Sequence, residues 1–385
     1  MTTITVADGF AFSHSRLTIS AAFTGDLVDP SSTSLRFAVD GTTQFALLGG
    51  NILYDAENHP TDGTIDSIQS YVDGTLAYSL TDAHLDLGDI FATDPSTRAS
   101  AARIALFSGD DAAVGGSKND YFNALGGHDV VMGGAGFDTI IGGDGNDHLY
   151  GQSPNGGLDG SDFISGDAGS DYIQGNAGND ELEGGLGSDR INGGADDDYV
   201  FGDEGNDTVN GNSGNDYIDG WIGNDVLRGG QGNDMMTGGS GNNIMMGDLG
   251  KDTIESLGDT DLLTGGEGAD LFIRSASRGL AADSSLLTAI TDFTHGEDRI
   301  DFRAAIGTRP EAVLSGTAAS YEAAIQQAQT MMAARAGDNE IAAVQVGSDT
   351  YLFYTAMRMS DVPTVGILAL DTTATDFDLE DFVRF

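Results

Sequence analysis

The sequence predicts a protein dominated by β-structure, in which a parallel β-solenoid is flanked by a small N-terminal antiparallel β domain and a C-terminal β-rich capping domain with one helix. Three observations predict this architecture. A nine-residue repeat fills residues 115–273, and a short fixed period is the signature of a solenoid. Before the repeat, segments in which apolar and polar residues alternate are separated by turn dipeptides. After the repeat, short apolar segments surround one amphipathic stretch. We therefore divide the chain into domains 1–107, 108–273 and 274–385.

The N-terminal domain is predicted from two Asp-Gly dipeptides that lie between alternating segments. Asp40-Gly41 and Asp73-Gly74 favour two-residue hairpin turns, because the residues of such turns need φ > 0. The segments 85–91 and 101–107 favour short helices, and we expect the second to cap the open end of the solenoid. Residues 108–114 form a degenerate repeat, with Asp111 in register and Ala113 at the core position.

The repeat follows the template G-G-x-G-x-D-x-U-x, in which U is apolar. Seventeen units fill residues 115–273, provided that the unit beginning at Gly151 holds six extra residues. Position eight is apolar in every unit, from Phe122 to Phe272. Because side chains alternate across a strand, the triplet x-U-x predicts a short strand with one inward side chain per unit.

The glycine-rich half of the repeat predicts a turn lined with oxygen atoms. Its glycines permit φ > 0 and bring peptide carbonyls close to one aspartate. Calcium takes roughly six to eight oxygen ligands in flexible geometry, whereas transition metals favour His or Cys. The alternative is that glycine and aspartate only make polar turns in a metal-free solenoid. Against it, residues 115–273 hold 30 acidic and four basic residues, and stacked carboxylates repel unless cations lie between them.

This nonapeptide pattern resembles that of secreted calcium-binding RTX proteins. The resemblance implies a parallel β-roll in which two units make one turn and each Ca²⁺ lies between neighbouring turns. It also implies that the calcium ligands are the position-six carboxylates, namely Asp120, Asp129, Asp138, Asp147, Asp162, Asp171, Asp180, Asp189, Asp198, Asp207, Asp216, Asp225, Asp234, Asp252, Asp261 and Asp270. Asn243 replaces the aspartate in one unit, and Lys118, Asp196 and Asp259 replace the glycine at position four.

The C-terminal domain carries three further signals. Residues 289–302 resemble the element that closes the roll in serralysin-type proteases, and Asp292, Asp298 and Asp301 within it are additional candidate calcium ligands. Residues 320–336 predict an amphipathic helix with Ser320 as N-cap, followed by a hairpin and a strand. The last residues resemble the export signals of the RTX family, which implies passage through a type I secretion apparatus and an extracellular location.

Charge and hydropathy exclude several kinds of partner. The net charge of −45 argues against nucleic acid and against anionic membrane surfaces. The sequence contains no run of eighteen apolar residues, so no segment is predicted to insert into a membrane. Residues 1–10 carry no Sec signal pattern, and the chain has no cysteine for disulfides.

Two classes of function remain open. The sequence contains no His-Glu-x-x-His, no Gly-x-Ser-x-Gly and no cysteine nucleophile, so we expect a non-enzymatic extracellular or cell-surface component with a structural, adhesion or lattice role. Its partners would be a cell-surface polysaccharide or further copies of itself. The alternative is a small secreted carbohydrate-active enzyme with its active site in the N-terminal β domain. If two units make a turn, one outer face carries an aromatic stripe that could serve either partner, formed by Tyr121, Phe163, Tyr199, Phe201, Tyr217 and Met235.

Overall fold

The computed structural model describes a defined part of the chain. The described residues are 3–6, 34–39, 44–54, 60–72, 75–86, 109–116, 119–152, 160–257, 260–275, 288–302, 312–333, 340–354, 364–375 and 377–383. The chain separates into two compact units, Met1–Arg190 and Ile191–Phe385. Each unit contains part of the repeat array together with one flanking region, and the division into three domains remains a prediction.

The first unit begins with an antiparallel sheet. Its strands are β1 (Thr3–Val6), β2 (Ser34–Val39), β3 (Gln44–Tyr54), β4 (Pro60–Val72) and β5 (Thr75–Asp86). They pair in the order β2-β3-β4-β5-β1, and every pairing is antiparallel. The predicted antiparallel sheet is therefore present over the described strands.

The two predicted hairpins differ in outcome. Val72 pairs with Thr75, so Asp73-Gly74 forms the predicted two-residue connection. Val39 pairs with Gln44, so the first connection has four residues, and the two-residue prediction is wrong there. The register of a ladder sets where its connection begins, and a local Asp-Gly signal indicates a turn without setting its length.

The first of the two predicted N-terminal helices begins in a strand. Leu85 and Asp86 belong to β5 and pair with β4, so a helix does not begin at residue 85. Strand pairing here overrides the local pattern. The segment 101–107 lies outside the described residues. The first strand of the repeat array, β6 (Ala112–Val114), pairs in parallel with β1, so β1 covers the edge where an uncapped stack would expose backbone groups.

The repeats of the first unit form two parallel ladders. One contains β6, β8 (Val130–Gly134), β10 (His148–Gln152) and β12 (Tyr172–Ala177); the other contains β7 (Tyr121–Asn123), β9 (Thr139–Asp144), β11 (Phe163–Ala168) and β13 (Glu181–Glu183). Val130 pairs with His148, eighteen residues later, whereas His148 pairs with Tyr172, twenty-four residues later. Two nonads therefore make one turn, and the predicted six-residue insertion is absorbed between β10 and β11.

The repeats of the second unit follow the same plan. One ladder contains β14 (Arg190–Ala195), β16 (Thr208–Ser213), β18 (Val226–Gln231), β20 (Ile244–Leu249) and β22 (Leu262–Glu267). The other contains β15 (Tyr199–Phe201), β17 (Tyr217–Asp219), β19 (Met235–Thr237), β21 (Thr253–Ser256) and β23 (Leu271–Arg274). Tyr199, Tyr217 and Met235 are in register at intervals of eighteen residues.

The core of the repeats is formed by position eight, as predicted. Every residue of the set is at most 2% exposed: Phe122, Val131, Ile140, Leu149, Ile164, Ile173, Leu182, Ile191, Val200, Val209, Ile218, Leu227, Met236, Met245, Ile254, Leu263 and Phe272. The neighbouring positions seven and nine are half-buried or exposed in most nonads, with Ser165 and Ile273 at position nine buried. One apolar residue per nonad is thus enough to build a continuous apolar column inside each unit.

The C-terminal region continues both ladders, and its last strands extend one of them. Its elements are β24 (Thr288–Ile290), β25 (Arg299–Asp301), β26 (Ala312–Thr317), α1 (Tyr321–Ala333), β27 (Glu340–Val346), β28 (Asp349–Tyr354) and β29 (Thr364–Ala369). β24 pairs with β22, and β25 pairs with β23. β29 pairs in parallel with β24, and the order β29-β28-β27-β26 follows. Ser320 caps α1 by accepting the Ala323 N–H at 3.3 Å, as predicted. In the part of the chain described here, no helix has the length and hydropathy needed to cross a membrane.

Two aspartates end the stack of turns. The Asp292 carboxylate accepts the N–H groups of Gly265 and Gly266 at 2.9 and 2.8 Å, where the next turn would otherwise lie. Asp381 accepts a hydrogen bond from the ring Nδ1 of His295 at 3.0 Å, and Phe377 stacks on Phe293 with ring centroids 4.9 Å apart. The last described residues therefore pack on the segment that follows β24.

Candidate metal centre

The position-six carboxylates form two rows inside the turns, which we name the carboxylate rows. In each row, Oδ1 of a position-six residue accepts the backbone N–H of the position-six residue one turn earlier. Asp147 accepts the Asp129 N–H at 2.7 Å in the first unit, and Asp234 accepts the Asp216 N–H at 2.9 Å in the second. The carboxylates therefore hold neighbouring turns together as well as facing the interior.

All sixteen predicted ligand residues lie in these rows. Each of them is at most 3% exposed. They are Asp120, Asp129, Asp138, Asp147, Asp162, Asp171, Asp180, Asp189, Asp198, Asp207, Asp216, Asp225, Asp234, Asp252, Asp261 and Asp270. The sequence placed them in register through the nine-residue period; their role as metal ligands remains a prediction.

The second carboxylate oxygen lacks a donor along much of the rows. Among the described residues, Oδ2 is buried without a hydrogen-bond partner in Asp129, Asp147, Asp171, Asp216, Asp225, Asp234, Asp252 and Asp270. An unsatisfied buried polar group costs about 1–3 kcal/mol, and more when it is charged. Repeated oxygen atoms of this kind indicate that a proton or a cation completes each site.

The position-one glycine leaves a hollow beside this oxygen. A Cβ atom added to Gly211 would lie 2.1 Å from Asp216 Oδ2 and 2.7 Å from the carbonyl oxygen of Gly229, one turn later. A carboxylate oxygen and a carbonyl oxygen thus converge on a space that any side chain at position one would fill. Two acceptors that face the same hollow match an oxygen-ligated cation.

Asn243 shows how the row behaves where the carboxylate is absent. Its Oδ1 accepts the Asp225 N–H at 2.9 Å, as an aspartate would. Its Nδ2 donates to the Gly238 carbonyl at 3.0 Å and takes the place that Oδ2 has in other units, 2.7 Å from a Cβ added to Gly238. The amide therefore places a donor in the hollow at Gly238, where a carboxylate would place an acceptor.

Burial raises the pKa of the row carboxyls. The pKa is raised from 3.8 to about 7 at Asp129, Asp171 and Asp234 and to about 6 at Asp216 and Asp225. Removal of the carboxylate from water is the largest cause, the N–H of the previous turn opposes it, and neighbouring carboxylates add to the rise. Without a cation, these groups would be partly protonated near neutral pH.

The donor set favours calcium over transition metals. No group of three or more His, Cys, Asp or Glu side chains converges among the described residues, so each hollow offers carboxylate and carbonyl oxygen only. Such hard oxygen ligands suit Ca²⁺. The residues present therefore fit calcium, held by Oδ2 of position six and the position-one carbonyl of the next turn.

Two row members lie outside the sixteen predicted residues. Asp111 donates its N–H to Asp129 Oδ1 at 2.6 Å and is 4% exposed; its spacing of nine residues before Asp120 was the available signal. Asp298 accepts the Asp270 N–H at 3.0 Å and the Thr294 N–H at 2.7 Å. It lies twenty-eight residues after Asp270, off the period; the sequence singled it out only as one of three candidates in the closing segment.

The predicted aromatic stripe is partly assembled in the second unit. The rings of Tyr199 and Tyr217 lie 6.0 Å apart, and those of Phe201 and Tyr217 lie 5.9 Å apart. Met235 pairs with Tyr217, continues this stripe and is 51% exposed. Trp221 stands where the repeat has a turn glycine and is 52% exposed.

A family model matches the repeat region. The family described as "RTX calcium-binding nonapeptide repeat (4 copies)" matches at residues 107–140, 124–153, 156–191, 175–209, 201–236 and 237–272. A search of curated proteins finds no match. Among solved structures, the chain is similar to the solution structure of the AlgE6R3 subunit from the Azotobacter vinelandii mannuronan C5-epimerase, at 22% identity and a TM-score of 0.22, over 59% of this chain and 84% of that chain. Residues 107–272 of this protein are RTX calcium-binding nonapeptide repeats.

Proposed function

We propose that the protein is exported through a type I secretion apparatus and that calcium outside the cell folds its repeats into the β-roll. It then acts as a non-enzymatic extracellular or cell-surface component with a structural, adhesion or lattice role. The observation that carries this proposal is the series of buried Oδ2 atoms without a donor, each beside a hollow, as at Asp216 and Gly211. The hollows favour a protein whose stability depends on a cation that is scarce inside cells and abundant outside.

The negative charge of the repeats opposes folding in the absence of calcium. Residues 115–273 carry 30 acidic and four basic residues, so the chain without calcium repels itself. Loss of backbone freedom at the many glycines opposes folding further. Calcium offsets both effects because binding and folding occur together when only the folded chain presents the sites.

A calcium titration of the full chain tests this function. We expect far-ultraviolet circular dichroism to gain β-signal as free calcium rises from micromolar to millimolar, and magnesium at the same concentration to produce less. A chain with the same β-signal in chelator and in calcium would contradict the proposal. Export is tested separately, by following the full chain and a form without residues 364–385 in cells with and without a type I apparatus.

The surface role would involve a cell-surface polysaccharide or self-association. Retention of the calcium-loaded protein on washed cells, and release by chelator, would support the polysaccharide. Growth of ordered particles in solution on addition of calcium would support self-association. The alternative of a carbohydrate-active enzyme concerns the N-terminal domain, whose side chains lie outside the described part, and it remains a hypothesis.

A further inference from the structure

The outer face of the second unit contains a concave cavity that the calcium sites do not use. It has a volume of about 460 Å³ and lies on β16, β18 and β20. We name it the amide groove and define it by Asn210, Asn212, Arg228, Gln231, Asp248 and Leu249. Its volume falls within the roughly 300–1,000 Å³ of small-ligand sites.

The groove owes its shape to one column of the ladder. Asn212, Gly230 and Asp248 are in register on the three strands, and all three have φ between 73° and 115°. The strands therefore bend at this column. Gly230 carries no side chain between the two polar residues, and its backbone forms the floor.

The charges that line the groove cancel. Arg228 Nε forms an ion pair with Asp248 Oδ2, and the other polar side chains of the groove are neutral amides. The repeats around it are strongly acidic, with a net charge of −26 from 30 acidic and four basic residues. An anionic ligand would meet this acidic surround, and an apolar ligand would find only Leu249, which is 46% exposed.

The amides are held in position before any ligand arrives. Asn210 Nδ2 donates to Asn212 Oδ1 at 2.7 Å, and Asn212 Nδ2 donates to the Asn210 carbonyl at 3.4 Å. These bonds leave Asn210 Oδ1 as an acceptor and one N–H on each amide as a donor. Fixed groups that both donate and accept complement hydroxyl groups, which do the same, and pre-organisation lowers the entropy cost of binding.

We propose that the amide groove binds a neutral oligosaccharide segment. The amides and the free N–H groups of Arg228 hydrogen-bond its hydroxyls, and Leu249 contacts the C–H face of a ring. The proposal deepens the proposed function by naming neutral glycan as the surface ligand. It rests on that function in one respect, since calcium must first fold the repeats that form the groove.

Titration calorimetry on the calcium-loaded full chain tests this inference with defined probes. Cellohexaose, laminarihexaose and mannohexaose represent neutral glycans, and hexagalacturonate represents anionic ones. We expect at least one neutral hexasaccharide to bind and the anionic one to bind more weakly. Failure of all three neutral probes at millimolar concentration, or tighter binding of hexagalacturonate, would overturn the inference.

Matched variants locate the binding. The double variant Asn210→Ala/Gln231→Ala removes two groove amides, and we expect it to weaken the binding of the neutral probe at least about tenfold. Gln174→Ala is the control. Gln174 occupies in the first unit the repeat position that Asn210 has in the second, and its Nε2 donates to Asn176 Oδ1 at 2.8 Å, as Asn210 Nδ2 donates to Asn212 Oδ1. Equal loss in both variants, or no loss in the double variant, would overturn the inference.

Calcium-induced circular dichroism on the same samples separates this inference from the proposed function. If calcium folds the chain and no neutral sugar binds, the groove assignment fails and the calcium-dependent function stands. If calcium does not fold the chain, the proposed function fails first. If the double variant does not fold, Gln231→Ala alone replaces it, since this exposed side chain makes little contact with the core.

Discussion

Replacing Asp216 with asparagine should have opposite effects in the absence and presence of calcium. Asp216 Oδ1 accepts the Asp198 N–H at 2.9 Å, which an amide oxygen can also do. Its Oδ2 is buried without a donor, and desolvation raises its pKa from 3.8 to about 6. An amide removes this charge and, by analogy with Asn243, donates Nδ2 to a position-one carbonyl.

The magnitude follows from the pKa. A rise of about 2 units corresponds to about 3 kcal/mol at roughly 1.4 kcal/mol per unit, so Asp216→Asn should stabilise the calcium-free fold by about 2–3 kcal/mol at about pH 8, where the carboxyl is ionised. In calcium the variant loses one ligand. A site that is filled at about 100 times its dissociation constant contributes about 2.7 kcal/mol, and the variant should lose a stabilisation of that order.

The assay is urea unfolding in chelator and in millimolar calcium, with an osmolyte added to both if the calcium-free chain is unfolded. Asp144→Asn is the control, because it removes the same charge from an exposed position outside the row. Asn243→Asp is the reciprocal change and should be less stable in chelator and more dependent on calcium. Equal destabilisation of Asp216→Asn in both conditions, or the same response in Asp144→Asn, would refute the reasoning.

Three further predictions follow from the same geometry. Gly211→Ala should lose the calcium-dependent stabilisation of one site, about 2.7 kcal/mol, because the new Cβ would lie 2.1 Å from Asp216 Oδ2; a calcium midpoint equal to that of the unchanged protein would contradict the hollow. Ile218→Ala should cost about 2–5 kcal/mol in urea unfolding with calcium, because Ile218 is 0% exposed in the core column, whereas Thr208→Ala on the outer face should cost far less. Lowering the pH from about 8 to 5 should stabilise the calcium-free fold. The folded pKa values of about 7 at Asp234 and about 6 at Asp225 lie above the unfolded value. The stability that these two carboxyls contribute is therefore present at low pH and is lost as the pH rises through 6–7. The same acidification should weaken calcium binding, because the ligands must be ionised; melting curves in chelator that fall on acidification would contradict this prediction.

The repeat region was the most predictable part of the molecule. Its period sets the position-eight core from Phe122 to Phe272 and the position-six rows without any long-range information, because each nonad contacts only its neighbours. That two nonads make one turn came from the resemblance to RTX proteins, and the eighteen-residue register of Val130 and His148 confirms it.

Other features depended on contacts that a period does not reveal. The sequence suggested that the glycines were needed for φ > 0, but Gly211 is needed because Asp216 Oδ2 and the Gly229 carbonyl lie too close to the place that a Cβ would take. The sequence did not predict the hydrogen bond from each position-six N–H to the position-six carboxylate one turn later. The four-residue connection between Val39 and Gln44 and the strand at Leu85 depend on ladder register, which short-range signals do not determine.

An anomalous difference map from crystals grown in calcium would test the central claim most directly. The account predicts a calcium peak in the hollow between Asp216 Oδ2 and the Gly229 carbonyl, and no peak in the hollow at Gly238, where the donor Asn243 Nδ2 replaces the carboxylate oxygen. Folded turns with no ion beside Asp216, or an equal peak beside Asn243, would contradict it.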